Sequence, residues 1–311
     1  MNDIQQWLRF FEQVSSFYKA GMSLSWEKYP NHDTDIWDSL CIFCESYAFE
    51  RQGRRPDYSH AAVDTLRKYK KKDIDNMHES IVRNIWKDFK DRLNNQDLNY
   101  QNNPLCPKGA EYPRKDRKEP CKTRKQSIIE LVFSEMVPKR LTFTNYFENK
   151  ITEDLDIHNV NKQLKSIQGI SDKIASLYLR DLAYIKEIDL SNAQDRDLLQ
   201  PVDTWVARTV IRLAGNKFSR FKKKIRNRRG LKNQEKRELA NWIVRESKEN
   251  TVNPELVNMG IWYFCSQIAR SEYRVNKMLT GSGNGQNLVN EHIKLVKRMY
   301  DTAAETFPNT A

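Results

Sequence analysis

The sequence predicts an all-α protein, because helical periodicity covers most of its 311 residues. Apolar side chains recur at helical spacing, as at Ile4, Trp7, Leu8 and Phe11, and the alternation typical of strands is almost absent. The ten glycines and ten prolines fall mostly between the periodic stretches, as a helical bundle requires. The predicted helices lie at about residues 3–20, 33–50, 59–72, 74–97, 125–136, 140–150, 158–167, 172–186, 203–214, 233–248, 254–270 and 286–306.

The composition predicts a polyanion-binding protein. Lys and Arg number 53 against 41 Asp and Glu, which gives a formal charge of +12. Such a surface suits nucleic acid, an anionic membrane or acidic proteins as partners. No stretch approaches the length of about 18 apolar residues that a membrane span needs, so we expect no membrane insertion. The five cysteines, an odd number, favour a reducing interior over a disulfide scaffold. We therefore expect a cytoplasmic protein.

Basic residues are concentrated in three runs, at residues 67–72, 114–125 and 217–232. Clusters of this kind are typical of phosphate contacts, although a solvated helix face is the alternative. Phe218 and Phe221 lie within the third run, where they could anchor the segment to the core. The second run belongs to residues 94–125, which hold four of the ten prolines and are predicted to form a long basic surface loop.

The stretch "SIQGISDKIASLYLRDLA", residues 166–183, predicts two helices joined by a tight turn at Gln168, Gly169, Ile170 and Ser171. A turn that leads into a helix N-terminus points backbone N–H groups outward, and such amides bind phosphate without base preference. Lys173 follows directly in the first turn of the second helix.

A second signal lies thirty residues further on, in "DLLQPVDTWVARTVIRLAG", where Asp203 precedes another predicted helix. Together, the hairpin, its lysine and this Pro-Val-Asp resemble the helix-hairpin-helix (HhH-GPD) DNA glycosylase superfamily. The layout is most similar to the archaeal 8-oxoguanine glycosylase branch. Residues 167–173 match the apolar positions, the first glycine and the lysine of the motif, whereas Gln168 replaces a proline and Ser171 a second glycine.

The resemblance implies a two-lobed helical fold. We expect residues 59–232 to form a central lobe with the helix-hairpin-helix at about 160–186. Residues 1–58 and 233–311 would pack together as the second lobe, and DNA would run across the lobe junction.

The resemblance also implies that Lys173 and Asp203 are catalytic. The lysine amine would attack the anomeric carbon, expel the base and leave a Schiff base that undergoes β-elimination. Asp203 would accept a proton and stabilise positive charge on the sugar. The target nucleotide must first be flipped out of the duplex. The simpler alternatives are an exposed first-turn lysine and an ordinary helix N-cap.

For the base pocket, the resemblance implies Arg180, Asn258 and Trp262. Asn258 stands where the relatives place a carboxylate, and an amide can accept other base edges than that of a guanine. The substrate prediction is 8-oxoguanine. The alternative is a bulky modified base, such as glucosylated hydroxymethylcytosine in phage DNA, with a role in defence.

The cysteines predict no resident cofactor. After Lys173 the chain has only Cys265, which excludes the four-cysteine iron–sulfur loop of some relatives. Cys41, Cys44, Cys106 and Cys121 could form a zinc site, but a C-x-x-C within an apolar helix is more typical of packing. We predict no metal.

We therefore expect a monomeric, nucleoid-associated enzyme that acts on double-stranded DNA containing a damaged or modified base. One rival hypothesis is a non-enzymatic DNA-binding module that uses the hairpin only to hold phosphate. Another is an RNA-binding helical protein, which would leave Lys173 and Asp203 without a role.

Overall fold

The computed structural model describes residues 3–49, 55–70, 79–96, 98, 103–112, 121–226, 230–280 and 284–306. The predicted all-α class is confirmed, since this part of the chain contains fourteen α-helices and a single pair of two-residue strands. None of the described helices combines the length and the apolar character that crossing a bilayer demands.

The helices follow one another in chain order as α1 Asp3–Glu27, α2 Ile36–Phe43, α3 Pro56–Tyr69, α4 Glu79–Asn95, α5 Ile128–Leu131, α6 Phe143–Asp154, α7 Ile157–Lys165, α8 Asp172–Ile185, α9 Thr204–Leu213, α10 Ser219–Arg226, α11 Asn233–Glu249, α12 Pro254–Tyr263, α13 Glu272–Leu279 and α14 Gly285–Thr306. The π-helical segments Cys44–Phe49, Val132–Met136 and Phe264–Ala269 continue α2, α5 and α12. The 3₁₀ turns are Val137–Lys139 and Arg196–Leu199. Strands β1 Glu111–Tyr112 and β2 Cys121–Lys122 pair antiparallel, with Glu111 opposite Lys122.

Two helices occur where none was predicted. Helix α10 lies within the third basic run, and α13 follows the predicted helix at 254–270. Helix α1 continues past the predicted end at residue 20 and through Gly21 to Glu27. Helix α2 begins later than predicted because the Asp35 side chain accepts hydrogen bonds from the Trp37 and Asp38 amides and caps the helix there.

The chain forms two compact units. Unit 1 contains residues 1–19 and 202–311, and unit 2 contains residues 20–201. The predicted lobes had their limits at 58/59 and 232/233, whereas this division falls at 19/20 and 201/202. The first part of α1 belongs with the C-terminal helices, and the hairpin belongs to unit 2.

The core of unit 1 is built by α1, α9, α11 and α12. Buried members include Leu8, Phe11, Val206, Ile243 and Phe264. Helices α1 and α12 are in very close contact, because a Cβ added at Gly260 would lie 1.7 Å from the Phe11 carbonyl oxygen. Only glycine permits this approach of the two backbones.

The core of unit 2 centres on aromatic side chains. Phe43 lies 4.7 Å from Phe143 and 4.9 Å from Tyr178, measured between ring centroids. Residues 103–107 are also buried, so the prediction of a surface loop over 94–125 is wrong for this stretch. The Asn103 side chain accepts a hydrogen bond from the Leu105 amide, which helps to satisfy the buried backbone of this stretch. Residues 113–120, which hold much of the second basic run, lie outside the described residues.

Candidate functional site

The predicted hairpin is formed by α7 and α8. Gly169 in the connecting turn has a φ of 77°, a conformation that glycine adopts without strain. Ser171 caps α8, and its hydroxyl accepts a hydrogen bond from the Ile174 amide at 3.5 Å. Ile167 and Ile170 are buried and fix the turn to unit 2. Local sequence therefore determines this turn: a glycine where φ is positive, then a serine cap, between two apolar anchors.

Two of the four predicted phosphate-binding residues use their amides inside the fold. The Gln168 N–H donates to the Gln126 carbonyl at 2.8 Å, and the Ile170 N–H donates to the Ile167 carbonyl at 3.3 Å. The amides of Ser171 and Lys173 have no acceptor among the described residues. The amide donors without an acceptor among the described residues therefore lie at the N-terminus of α8, at the predicted Ser171 and two residues beyond it.

Lys173 is half-exposed in the first turn of α8. Its ammonium group has neither a hydrogen bond nor an ion pair within the described part of the chain. The flanking charges behave differently, because Lys165 and Asp172 form an ion pair across the hairpin. The hairpin thus holds one lysine in a structural contact and leaves Lys173 available for a ligand.

Asp203 is the N-cap of α9. Its Oδ1 accepts a hydrogen bond from the Val206 amide at 2.9 Å, and the side chain is half-buried. Burial raises the pKa of the nearby Cys265 thiol to about 12, and the charge of Asp203 adds to this rise. Asp203 belongs to unit 1, whereas Lys173 belongs to unit 2.

Arg180, predicted for the base pocket, is only 1% exposed. Its Nε and Nη2 atoms both donate to Oδ1 of Asp181, at 2.9 and 2.7 Å. The Tyr47 hydroxyl donates to the other carboxylate oxygen at 3.2 Å and accepts from the Trp26 indole at 3.0 Å. These contacts give Arg180 a structural role in the core of unit 2 that the sequence did not reveal.

The other two residues predicted for the base pocket lie on α12 in unit 1. Asn258 is fully buried, at 0% exposure. Trp262 is half-buried and packs edge-on against Tyr18, with 5.8 Å between the ring centroids. The structure therefore distributes the predicted pocket residues over both units, with Arg180 in unit 2.

The first part of the third basic run forms the surface helix α10 with an apolar anchor, and residues 227–229 of the run lie outside the described residues. Phe218 and Phe221 are buried and stacked at 5.6 Å, which confirms that they anchor the run to the core. Arg220 and Lys224 form ion pairs with acids of α11, whereas Lys222 and Lys223 are exposed and have no ion pair within the described residues. Part of the positive charge on this helix therefore remains unneutralised.

The first basic run is partly neutralised. Lys68 pairs with Asp88 at 2.6 Å, and Lys70 contacts Asp35 and Asp38 at 3.1 and 2.7 Å. The run's last two residues, 71 and 72, lie outside the described residues. The described part of this run is better suited to holding helices together than to binding a polyanion.

The thiols of Cys41, Cys44, Cys106 and Cys265 are buried, and the side chain of Cys121 lies outside the described part of the structure. Burial raises the pKa of Cys41 and of Cys106 to about 12 and that of Cys44 well above its usual value. Among the described residues, no group of three or more His, Cys, Asp or Glu side chains is placed to hold a metal ion.

Sequence reasoning did not single out Arg208 and Arg212, which line a cavity in unit 1. The available signal was their spacing of four residues on α9, which places both side chains on one face of that helix. Their proximity to α1 and α13 depends on tertiary packing.

The chain is similar to an uncharacterized protein of Methanocaldococcus jannaschii. The two sequences are 26% identical over 294 residues, which span 85% of this chain and 67% of the archaeal protein. No protein-family model matches the chain. No solved structure matches it either.

Proposed function

We propose that this protein is a DNA glycosylase with abasic-site lyase activity, which flips a damaged or modified base out of double-stranded DNA and excises it through a lysine Schiff base. One observation carries the proposal. Lys173 is half-exposed and without an ion pair among the described residues, directly after a helix-hairpin turn with a positive-φ glycine.

In this proposal the Lys173 amine forms a bond to the anomeric carbon as the bond to the base breaks, and the departing base takes up a proton. The sugar ring then opens to a Schiff base. Loss of the neighbouring C2′ proton breaks the bond to the 3′-phosphate, which is the lyase step. An amine reacts in this way only when it is neutral.

Asp203 would accept a proton and stabilise positive charge on the sugar. Its position as the N-cap of α9 is compatible with this role, because the hydrogen bond from Val206 occupies only Oδ1. A carboxylate has two oxygens with about four lone-pair sites, so one oxygen can act while the other caps the helix.

DNA binding is supported by two features. The amides of Ser171 and Lys173 at the start of α8 can donate to a phosphate, and the helix dipole favours an anion there. The exposed Lys223 on α10 can contact a further phosphate. We propose that the protein acts as a monomer at the nucleoid.

For the substrate we retain 8-oxoguanine, with a glucosylated hydroxymethylcytosine of phage DNA as the second candidate. A binding module without catalysis would use the same amides and lysines, so the chemistry at Lys173 distinguishes the enzyme from the module.

The test is borohydride trapping on duplex oligonucleotides that carry 8-oxoguanine, uracil, an abasic site or glucosylated hydroxymethylcytosine. The variants are Lys173→Gln and, as a matched control from the same hairpin, Lys165→Gln. We expect a covalent adduct with the wild type and the control, and none with Lys173→Gln. The substrate that gives the fastest adduct identifies the base.

If the wild type binds the duplexes but gives no adduct on any of them, the lyase proposal fails. In that case Lys173→Gln would only weaken DNA binding, as the binding-module hypothesis predicts. An adduct that persists in Lys173→Gln would show that another amine is the nucleophile.

A further inference from the structure

Unit 1 contains a cavity of about 780 Å³ that the proposed reaction does not use. Side chains of α1, α9, α10 and α13 line it. A volume of this size lies in the range of pockets for small molecules, which is about 300–1,000 Å³. Lys173 is not among the lining residues, so this site is independent of the lysine chemistry.

The polar part of the cavity is positively charged. Arg208, Arg212 and Lys222 line it, against the single carboxylate of Glu272. Arg208 is paired with Glu272 at 3.0 Å. Arg212 and Lys222 are exposed and have no ion pair within the described residues. Two unpaired cations at one cavity favour a ligand with two negative charges.

Arg208 contributes positive charge to the cavity but no free donor. Its guanidinium is paired with Glu272, and its Nε atom is buried. The two cations without an ion pair among the described residues, Arg212 and Lys222, are therefore the groups that can hold an anion.

The remaining wall is apolar and includes one aromatic ring. Ile4, Ile211, Ile225 and the half-buried Trp7 contribute to it. A flat ring system would bury apolar surface against these side chains and could stack on the indole. Inorganic phosphate alone would leave this wall without a partner.

We propose that this cavity binds a nucleoside monophosphate or an anion of the same chemical class, with a phosphate dianion joined to a flat ring. The phosphate lies between Arg212 and Lys222. The ring lies against Trp7. A fatty acid fits less well, because it has one negative charge and no flat ring to stack on the indole.

The test is isothermal titration calorimetry of the full chain with deoxyguanosine monophosphate, deoxyguanosine, inorganic phosphate and decanoate. The variant Lys222→Gln is compared with Lys223→Gln, its neighbour on α10, which is exposed but does not line the cavity. We expect the monophosphate to bind most tightly of the four. Loss of a charged contact should weaken its binding about tenfold in Lys222→Gln and Arg212→Gln, and less than twofold in Lys223→Gln.

Several outcomes would overturn the proposal. Decanoate or inorganic phosphate could bind as tightly as the monophosphate, which would remove the ring from the assignment. Equal effects of the two lysine substitutions would show that the phosphate does not lie at Lys222. The wild-type protein must first be shown to be folded, by cooperative unfolding in denaturant. If that protein then gives no heat of binding with millimolar monophosphate, the proposed ligand class is wrong.

Discussion

Replacing Asp203 by asparagine and by alanine separates the structural role of this side chain from the chemical one. The Asp203 carboxylate accepts the Val206 amide at 2.9 Å and so caps α9. Asparagine keeps an acceptor oxygen at this position, whereas alanine has none. Loss of the cap in Asp203→Ala should lower the free energy of unfolding by about 0.5–2 kcal/mol.

Asparagine should be less destabilising. It loses only the attraction between the negative charge and the helix dipole, which contributes about 0.3–1 kcal/mol. The loss of excision rate should be similar in the two variants, because neither an amide nor a methyl group can accept the proton. Both variants should therefore reduce the single-turnover rate of excision about 10²- to 10⁴-fold.

The assays are urea unfolding and single-turnover adduct formation on the duplex that traps fastest. Asp156 supplies the matched control, because it caps α7 in the same way and accepts the Asn159 amide at 2.9 Å. Asp156→Ala should have a lower free energy of unfolding and an unchanged rate of adduct formation. If Asp203→Asn retains a rate of adduct formation within threefold of the wild type, the Asp203 carboxylate has no chemical role. If it is as unstable as Asp203→Ala, the capping account is wrong.

Three further predictions concern the cores and the pH dependence. Gly260→Ala should lower the free energy of unfolding by about 3 kcal/mol or more, because the new Cβ would lie 1.7 Å from a backbone atom of Phe11 and the two helices must separate. Arg180→Leu should lower it by about 3–5 kcal/mol in denaturant unfolding, since Asp181 remains buried without the guanidinium. Burial lowers the pKa of His292 below 6.5, so the folded state binds a proton less readily than the unfolded chain. Stability should therefore fall as the pH drops below 6.5 towards the folded pKa, and His292→Gln should reduce this slope.

Each of these predictions has a control variant or an outcome that would contradict it. Gly21→Ala changes a glycine of α1 whose Cβ would meet no atom within 4 Å, and it should stabilise the helix by about 0.5–1 kcal/mol. If Gly260→Ala left the free energy of unfolding unchanged, this would contradict the close approach of α1 and α12. The double variant, with leucine at both 180 and 181, should be less destabilised than Arg180→Leu alone. An equal loss of unfolding free energy in the two variants would show that the buried charge of Asp181 is not the cause of the destabilisation. An unchanged slope in His292→Gln would show that this imidazole does not cause the pH dependence.

Elements with strong local signals were predictable. The hairpin around Gly169 has its helices close to the predicted limits, because a positive-φ glycine and a serine hydroxyl that caps α8 act on residues within a few positions. Helix α10 was missed although Phe218, Phe221 and Ile225 have helical spacing, because its lysines and arginines were interpreted as a basic run. Helix α13 was missed because it is only eight residues long.

The sequence by itself determined the all-α class, the hairpin and the Asp203 cap of α9, all of which depend on residues within a few positions of one another. Tertiary structure alone decided that Arg180 is buried against Asp181, that Gly260 lies against the Phe11 backbone, and that Arg208 and Lys222 line one cavity. Two of these features bring together residues on different helices, and the third is the burial of a charged side chain. The free energy of such contacts depends on packing and solvent exclusion, which no spacing along the chain reveals.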